Sequence, residues 1–333
     1  MRIGFSVPQF GPFADPDRSA RMCTALEGLG CHSLWVADRL LAPLASPEGY
    51  PGGKGMPARY ATHLDPLLTL GVAAMATERV RLGSSTLNAL WQPPLVLARA
   101  LTTLDLISHG RLDVGLGLGW MREEYEAAGV PWRGRGARLE ETLDVLDAVW
   151  RPGTVAHTGP LWTIPESTVL PKPVQVPGPP VLLGGFTPTA LERVGRRADG
   201  WLSASMPLPH LTGLWSVAVA AAERAGRDPA GLRRVFRVNP EVTRAGATPA
   251  ESHRRGTVRR ICDHLEAMCE AETDEVLVDL QLTTDSPEEF LDLAAAFMAE
   301  LDGGSPAPAR DQPVPARDQR VSAEDSPGRP PRA

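Results

Sequence analysis

The sequence predicts an α/β fold: a (β/α)8 TIM barrel with an insertion after strand four and a disordered C-terminal tail. Three observations lead there. Strand and helix signals alternate eight times along residues 2–301. Three helix starts repeat one device, a capping Asp or Thr followed by proline, at Asp15-Pro16, Asp65-Pro66 and Thr187-Pro188. The 333 residues, 43% hydrophobic, suffice for a barrel of about 250 residues plus an insertion. A doubly wound open sheet is the alternative topology for the same alternation.

The elements follow in order. Residues 2–7 form a short apolar strand, 15–29 a helix and 33–37 (SLWVA) a second strand. A long Gly/Pro-rich loop covers 40–64. Helix 65–77, strand 80–84, helix 94–107 and strand 112–118 come next. A short helix at 121–128 precedes a longer one at 138–150, where Leu139, Leu143, Leu146 and Val149 recur at helical spacing. Residues 154–180 are Pro-rich and irregular, an excursion with a small hairpin. Strands at 181–183, 201–204, 234–242 and 275–280 then alternate with helices at 188–197, 210–225, 250–269 and 287–301. From Gly303 the pattern stops. The tail carries seven prolines and the pentapeptide PARDQ twice, and it lacks apolar residues to bury. Residues 1–302 are therefore one domain and 303–333 a disordered Pro-rich tail.

Composition excludes several classes. The net charge is −6 and no basic block stands out, so nucleic acid is not an expected partner. No run of about 18 apolar residues exists, so no membrane span is expected. The start, MRIGFSVPQFG, is too short and strand-like for a signal peptide, which predicts a cytoplasmic protein. Cys23, Cys31, Cys262 and Cys269 form no C-x-x-C pair and read as reduced thiols. The seven histidines are scattered without H-E-x-x-H, so no metal is expected, and no G-x-S-x-G hydrolase elbow is present.

GRLDVGLGLGW (110–120) is the most informative stretch. Its glycines do not fit G-x-G-x-x-G, because the third would fall on Trp120 or Arg122. On a strand, Val114, Leu116 and Leu118 share one face, and Gly115, Gly117 and Gly119 leave the other bare. A bare face marks either tight packing or a ligand lying close. In barrels of this kind the active site lies at the C-terminal strand ends, which makes those ends the candidate list. Asp38 and Arg39 follow strand two, as a structural ion pair or as polar contacts at the mouth. Ser84, Ser85, Thr86 and Asn88 follow strand three, as a turn or as a polar shelf for a ring. Gly184, Gly185 and Thr187 follow strand five. There a capped helix start offers unpaired N–H groups, and a phosphate site is the functional reading. His63, on the long loop, is either a solvated side chain or a catalytic one.

Three blocks, HLDPLLTLGVAAMATERVRLGSST, PPLVLARALTTLDLISHGRLDVGLGLGW and VLPKPVQVPGPPVLLGGFTPTALERVGRRADGW, together resemble the bacterial luciferase-like superfamily. Within it the chain is most similar to the branch that uses coenzyme F420, a deazaflavin. The resemblance spans roughly residues 1–300. It implies a (β/α)8 barrel, usually a homodimer, that binds F420 or FMN at its mouth. Ser84, Ser85 and Thr86 match the segment behind the ring, where members often carry a non-proline cis peptide, here Ser85-Thr86. Gly184, Gly185 and Thr187 match the phosphate-side loop, and Gly117 and Gly119 fit the ring pocket or its packing. The implied activity is hydride transfer between F420 and a small organic substrate, with Asp38, Arg39 and His63 as catalytic candidates. The alternatives are an FMN-dependent monooxygenase and a non-catalytic flavin-binding homologue. The chain departs from the sugar-phosphate dehydrogenases of this branch: Arg39 stands where they have histidine and Trp120 where they have glutamate. Trp120 predicts a more apolar mouth and an apolar or aromatic substrate.

Overall fold

The computed structural model describes residues 2–44, 56–204, 206–243, 254–270 and 273–302. Eight parallel strands close into a barrel: β1 (Arg2–Ser6), β2 (Ser33–Val36), β3 (Arg81–Ser84), β4 (Leu112–Gly117), β5 (Val181–Gly184), β6 (Gly200–Ala204), β7 (Arg233–Val238) and β8 (Glu275–Val278). Each strand pairs with the next, and β8 returns to β1 with Gly4 opposite Leu277. The open-sheet alternative is thereby excluded. Around the barrel lie α1 (Pro16–Gly28), α2 (Pro66–Ala76), α3 (Pro94–Ile107), α4 (Arg122–Ala127), α5 (Arg135–Trp150), α6 (Pro188–Arg197), α7 (Leu208–Arg224), α8 (Val258–Glu270) and α9 (Pro287–Asp302). The capping device works as read. Asp15 accepts from the Arg18 amide at 2.9 Å, Asp65 from Leu68 at 2.9 Å and Thr187 from Ala190 at 3.3 Å. The expected tail (303–333), the middle of the long loop (45–55) and the first residues of the expected helix at 250–269 (250–253) lie outside the described residues.

Strand alternation sorts the barrel interior into three layers. The middle layer is apolar. Trp35, Leu182, Leu202, Val235 and Leu277 pack there as one buried cluster. Trp35 fits because β1 and β3 present Gly4 and Gly83; a Cβ on Gly83 would stand 2.4 Å from the indole ring. The base layer is a buried ion network. Asp113 accepts from Arg81 (Nη2, 2.6 Å) and Arg233 (Nη1, 2.7 Å), and Arg233 reaches Glu275 at 3.1 Å. Glu275 also accepts from Trp35 Nε1 at 3.0 Å and from the Ser33 hydroxyl. The third layer, at the strands' C-terminal ends, is polar and belongs to the mouth.

One strand is shorter than the sequence suggests. The reading at 234–242 stops at Val238, because Pro240 has no amide to donate to the ladder. Glu241–Val242 pair instead with Arg255–Gly256, away from the barrel. The excursion between α5 and β5 does contain a hairpin, Val155–Thr158 with Thr163–Ser167. One carboxylate docks it on α5: Glu141 accepts from the Trp162 amide at 2.7 Å, from Leu161 at 3.1 Å and from His157 Nε2 at 3.3 Å.

Candidate active site at the barrel mouth

The third strand is interrupted where the site begins. β3 ends at Ser84, and the ladder to β4 resumes at Leu87–Asn88, with Asn88 opposite Gly117. Ser85 and Thr86 form the step between, and their peptide bond is cis. Ser84 Oγ replaces the missing ladder bonds, donating to Gly115 O at 2.7 Å and accepting from Gly115 N at 3.0 Å. The Ser85 amide donates to Val36 O at 2.7 Å, and its carbonyl accepts from Arg237 Nη1 at 2.6 Å. The result is a half-buried shelf held from three sides.

The bare face of β4 makes room for that shelf. A Cβ on Gly115 would lie 1.7 Å from the Ser84 carbonyl oxygen, and one on Gly117 would lie 2.4 Å from Thr86 Oγ1. Gly184 on β5 faces the same threonine, with its Cβ position 3.1 Å from Thr86 Cγ2. Gly119 turns at φ +58°, with its Cβ position 3.0 Å from Asn88 Nδ2. Asn88 itself is 7% exposed. Its Oδ1 accepts from Leu90 N at 3.1 Å, and its Nδ2 lies 3.4 Å from Leu118 O. After β5, Gly185 has φ +154°, and its carbonyl accepts from Trp201 Nε1 at 2.9 Å. Thr187 then caps α6, whose first turn opens beside this loop.

Beyond β2 the structure gathers a charged cluster. Asp38 Oδ2 accepts from the Asn88 amide at 2.9 Å, joining the end of β2 to the resumed third strand. Burial pushes the Asp38 carboxyl up to about 7; the Asn88 amide and Arg39 oppose the shift, and Glu124 and Asp65 add to it. Arg39 lies 5.0 Å above the Trp120 ring, its Nη1 is 3.6 Å from Glu124 Oε1, and its Nε lies 3.1 Å from the Asp38 carbonyl. Trp120 therefore offers the mouth less bare aromatic surface than its type suggests, since a guanidinium stacks on it. His63 Nδ1 lies 3.1 Å from the Tyr60 carbonyl, and its ring tilts against Phe10 at 6.5 Å. Gln9 ties the two loops together, bonding both backbone groups of Ala37 at 2.8 Å and reaching Leu64 O at 3.4 Å.

Glu124 was not among the sequence candidates, and it sits at the centre of this cluster. It is 0% exposed. Oε1 accepts from the Leu40 amide at 2.9 Å, and Oε2 is buried without a hydrogen-bond partner among the described residues. Burial raises its carboxyl, against Arg39. Helical phase is the signal that finds it: Met121, Glu124, Tyr125 and Ala128 share one face of α4, and that face is turned inward. A second group that alternation alone could have found is Arg237 with Asp279, which continue the inward rows of β7 and β8. Asp279 takes Arg237, Asn239 at 2.9 Å and Ser6 at 2.7 Å.

A cavity of about 350 Å³ opens at the opposite end of the barrel, lined by Arg2, Cys31 and His32 among others. It touches none of these residues. Among the described residues, no group of His, Cys, Asp and Glu is arranged to hold a metal, and no helix is long and apolar enough to cross a membrane.

Comparison with known proteins follows the same outline. The family model for luciferase-like monooxygenases matches residues 2–317. An uncharacterised protein of Mycobacterium tuberculosis is 29% identical over 296 residues, covering 86% of this chain and 92% of that one. A monooxygenase from Streptomyces bottropensis superposes with a TM-score of 0.74 at 21% identity, covering 91% of this chain and 99% of its own. An F420-dependent secondary alcohol dehydrogenase, solved with an F420-acetone adduct, gives 0.73 at 16% identity, covering 90% and 98%.

Proposed function

The chain belongs to the luciferase-like monooxygenase family, and we propose that within it this protein is an oxidoreductase that moves hydride between coenzyme F420 and a small organic substrate. The shelf at Ser84–Thr86 carries this reading. Backbone and hydroxyl groups are set out there on a step, with glycines beneath it that leave no space for a side chain. A flat polar ring fits such a step. Ser84, Ser85, Thr86 and Asn88 would border the ring, with Gly117 and Gly119 beneath. Gly184, Gly185 and Thr187, at the start of α6, would take the phosphate, where free amides and the helix dipole favour an anion. When bound, the cofactor supplies the redox chemistry, and the chain positions it and handles charge and protons. Asp38, Arg39 and His63 are the proposed catalytic groups. A substrate with an apolar or aromatic body fits beside Trp120.

Reduced FMN with oxygen is the second reading, favoured by the family's monooxygenase description and by the Streptomyces structure. A fluorescence titration with F420 and, separately, with FMN discriminates. Saturable binding of F420 alone is the expected result, and binding of FMN alone establishes the second reading. If neither binds, oxidised or reduced, the shelf assignment fails with both.

We also propose a cytosolic homodimer. The cysteines are all free, and burial pushes the Cys23 and Cys31 thiols up to about 12, as befits inert packing groups. On α2, Leu68 and Met75 are 74% and 78% exposed, and they lie seven residues apart on one face, with Val96 of neighbouring α3 half exposed. Exposed apolar side chains in such a row mark a surface that associates. Leu68→Glu with Met75→Glu is expected to convert a dimer to a monomer in sedimentation velocity. A wild type that sediments as a monomer removes the proposal.

A further inference from the structure

The cavity at the base of the barrel touches no residue of the mouth, so a ligand there is independent of the cofactor. It lies under the N-terminal ends of β1 to β3, beside the end of α1, and measures about 350 Å³. That volume is near the lower limit for a small-molecule pocket. Arg2 and His32 both line it, and the strands hold them together: the His32 amide donates to the Ile3 carbonyl at 2.7 Å, next in sequence to Arg2. Neither side chain has a hydrogen bond or ion pair among the described residues. His32 Nε2 is enclosed, which leaves Nδ1 as the ring nitrogen a ligand can reach.

We propose that this cavity binds a small molecule carrying one carboxylate, held between the Arg2 guanidinium and the His32 imidazole. The charges decide the class. Glu27, on the cavity wall, is already engaged: it accepts from the amides of Glu78 at 3.1 Å, Arg79 at 2.7 Å and Val80 at 3.0 Å, and Arg79 Nη2 lies 3.8 Å away. Glu275 serves Arg233, Ser33 and Trp35. Arg81 and Arg233, which act on His32 from the base layer, meet at Asp113. Four guanidiniums (Arg2, Arg79, Arg81, Arg233) thus stand against three carboxylates (Glu27, Asp113, Glu275), and Arg2 is the one left over. A guanidinium and a carboxylate match as two-pronged partners. One charge is the limit, because α1 ends at Gly28, Gly30 lines the cavity, and the carbonyls of a helix end repel further negative charge. Ile3 and Met298 supply apolar wall for a short carbon chain.

Binding and protonation are linked at this site. Burial holds the His32 imidazole below the ordinary histidine value; Arg2, Arg233 and Arg81 add to that effect and Glu275 opposes it. A neutral ring still donates one N–H to a carboxylate oxygen. A carboxylate brought beside the ring favours its charged form, so the ligand should raise the His32 midpoint. By reciprocity it should bind more tightly as pH falls through that midpoint.

Proton NMR of the full chain, without cofactor, tests this by following the His32 ring resonance against pH, with His32→Gln identifying it. The titration is run at constant ionic strength in sodium chloride and in rising sodium acetate. Acetate should raise the midpoint saturably, by about tenfold in proton concentration, and the other histidines should not move with it. Inorganic phosphate should do less. Arg2→Met should itself raise the midpoint in chloride, because a neighbouring positive charge is gone, and should abolish the further rise in acetate. Arg2→Lys should keep part of that rise. If Arg2→Met fails to fold, acetamide on the wild type replaces it: the neutral analogue should leave His32 unmoved. A midpoint equal in acetate and chloride overturns the site, as does a response shared by all the histidines, or one that survives in Arg2→Met or appears with acetamide. A larger response to phosphate than to acetate overturns the carboxylate as its ligand.

Discussion

Gly115→Ala is expected to cost about 3 kcal/mol of stability, at the upper end for one added methyl group. The new Cβ would stand 1.7 Å from the Ser84 carbonyl oxygen and 2.5 Å from Leu202 Cδ1. The first obstacle is backbone, and that backbone is tied to Gly115 itself through Ser84 Oγ in both directions. Strand and shelf therefore cannot separate without losing two buried hydrogen bonds. Gly213→Ala supplies the contrast. It lies inside α7 with nothing within 4 Å of its Cβ position, so the same change there should stabilise by about 0.5–1 kcal/mol. Urea unfolding of both variants checks the pair. Equal effects would mean that the glycine face does not support the shelf.

Asp113→Asn should cost about 3 kcal/mol, because it leaves the half-buried Arg81 and Arg233 beside a neutral amide. Asp113 is 0% exposed and receives both guanidiniums. Burial alone would raise its carboxyl, but Arg233 and Arg81 outweigh burial and hold it below the ordinary carboxylate value. The pH dependence follows in sign. A folded-state value below the unfolded one contributes stability at pH above about 4, and that contribution is lost as pH falls through the lowered value. The difference between wild type and Asp113→Asn should therefore be full at pH 7 and shrink below about pH 4. Urea melts at pH 7 and pH 3 measure it. A difference that stays constant between them would assign the loss to packing rather than charge.

Much of this architecture is legible in the residues. Capping pairs place three helices to the residue, and period-two alternation finds the strands, because those patterns are local. Less legible are features in which a strand does not continue. Nothing in S-S-T-L-N shows that β3 ends at Ser84 and resumes at Leu87, since the cause lies across the sheet in Gly115 and Gly117. The glycines themselves admit two readings, packing and ligand, and the structure shows their Cβ positions filled by Ser84 and Thr86. Asn239-Pro240 does announce the end of β7, through the missing amide. Glu124 is hidden among Glu123 and Glu126 until helical phase is applied, and its meaning depends on Arg39, 85 positions earlier in the chain.

The docking of the hairpin by Glu141 has a consequence for how such a protein diversifies. The hairpin owes its seat to one carboxylate on α5, two amides at its tip and a histidine on its rising strand. Gly159 is a tip residue whose own identity that seat dictates, since a Cβ there would lie 2.2 Å from Glu141 Oε1. A loop of different length and outward face can therefore be plugged into the same socket, provided it brings a glycine and two free amides. The barrel and its shelf need not change for this hairpin on α5 to be rewritten.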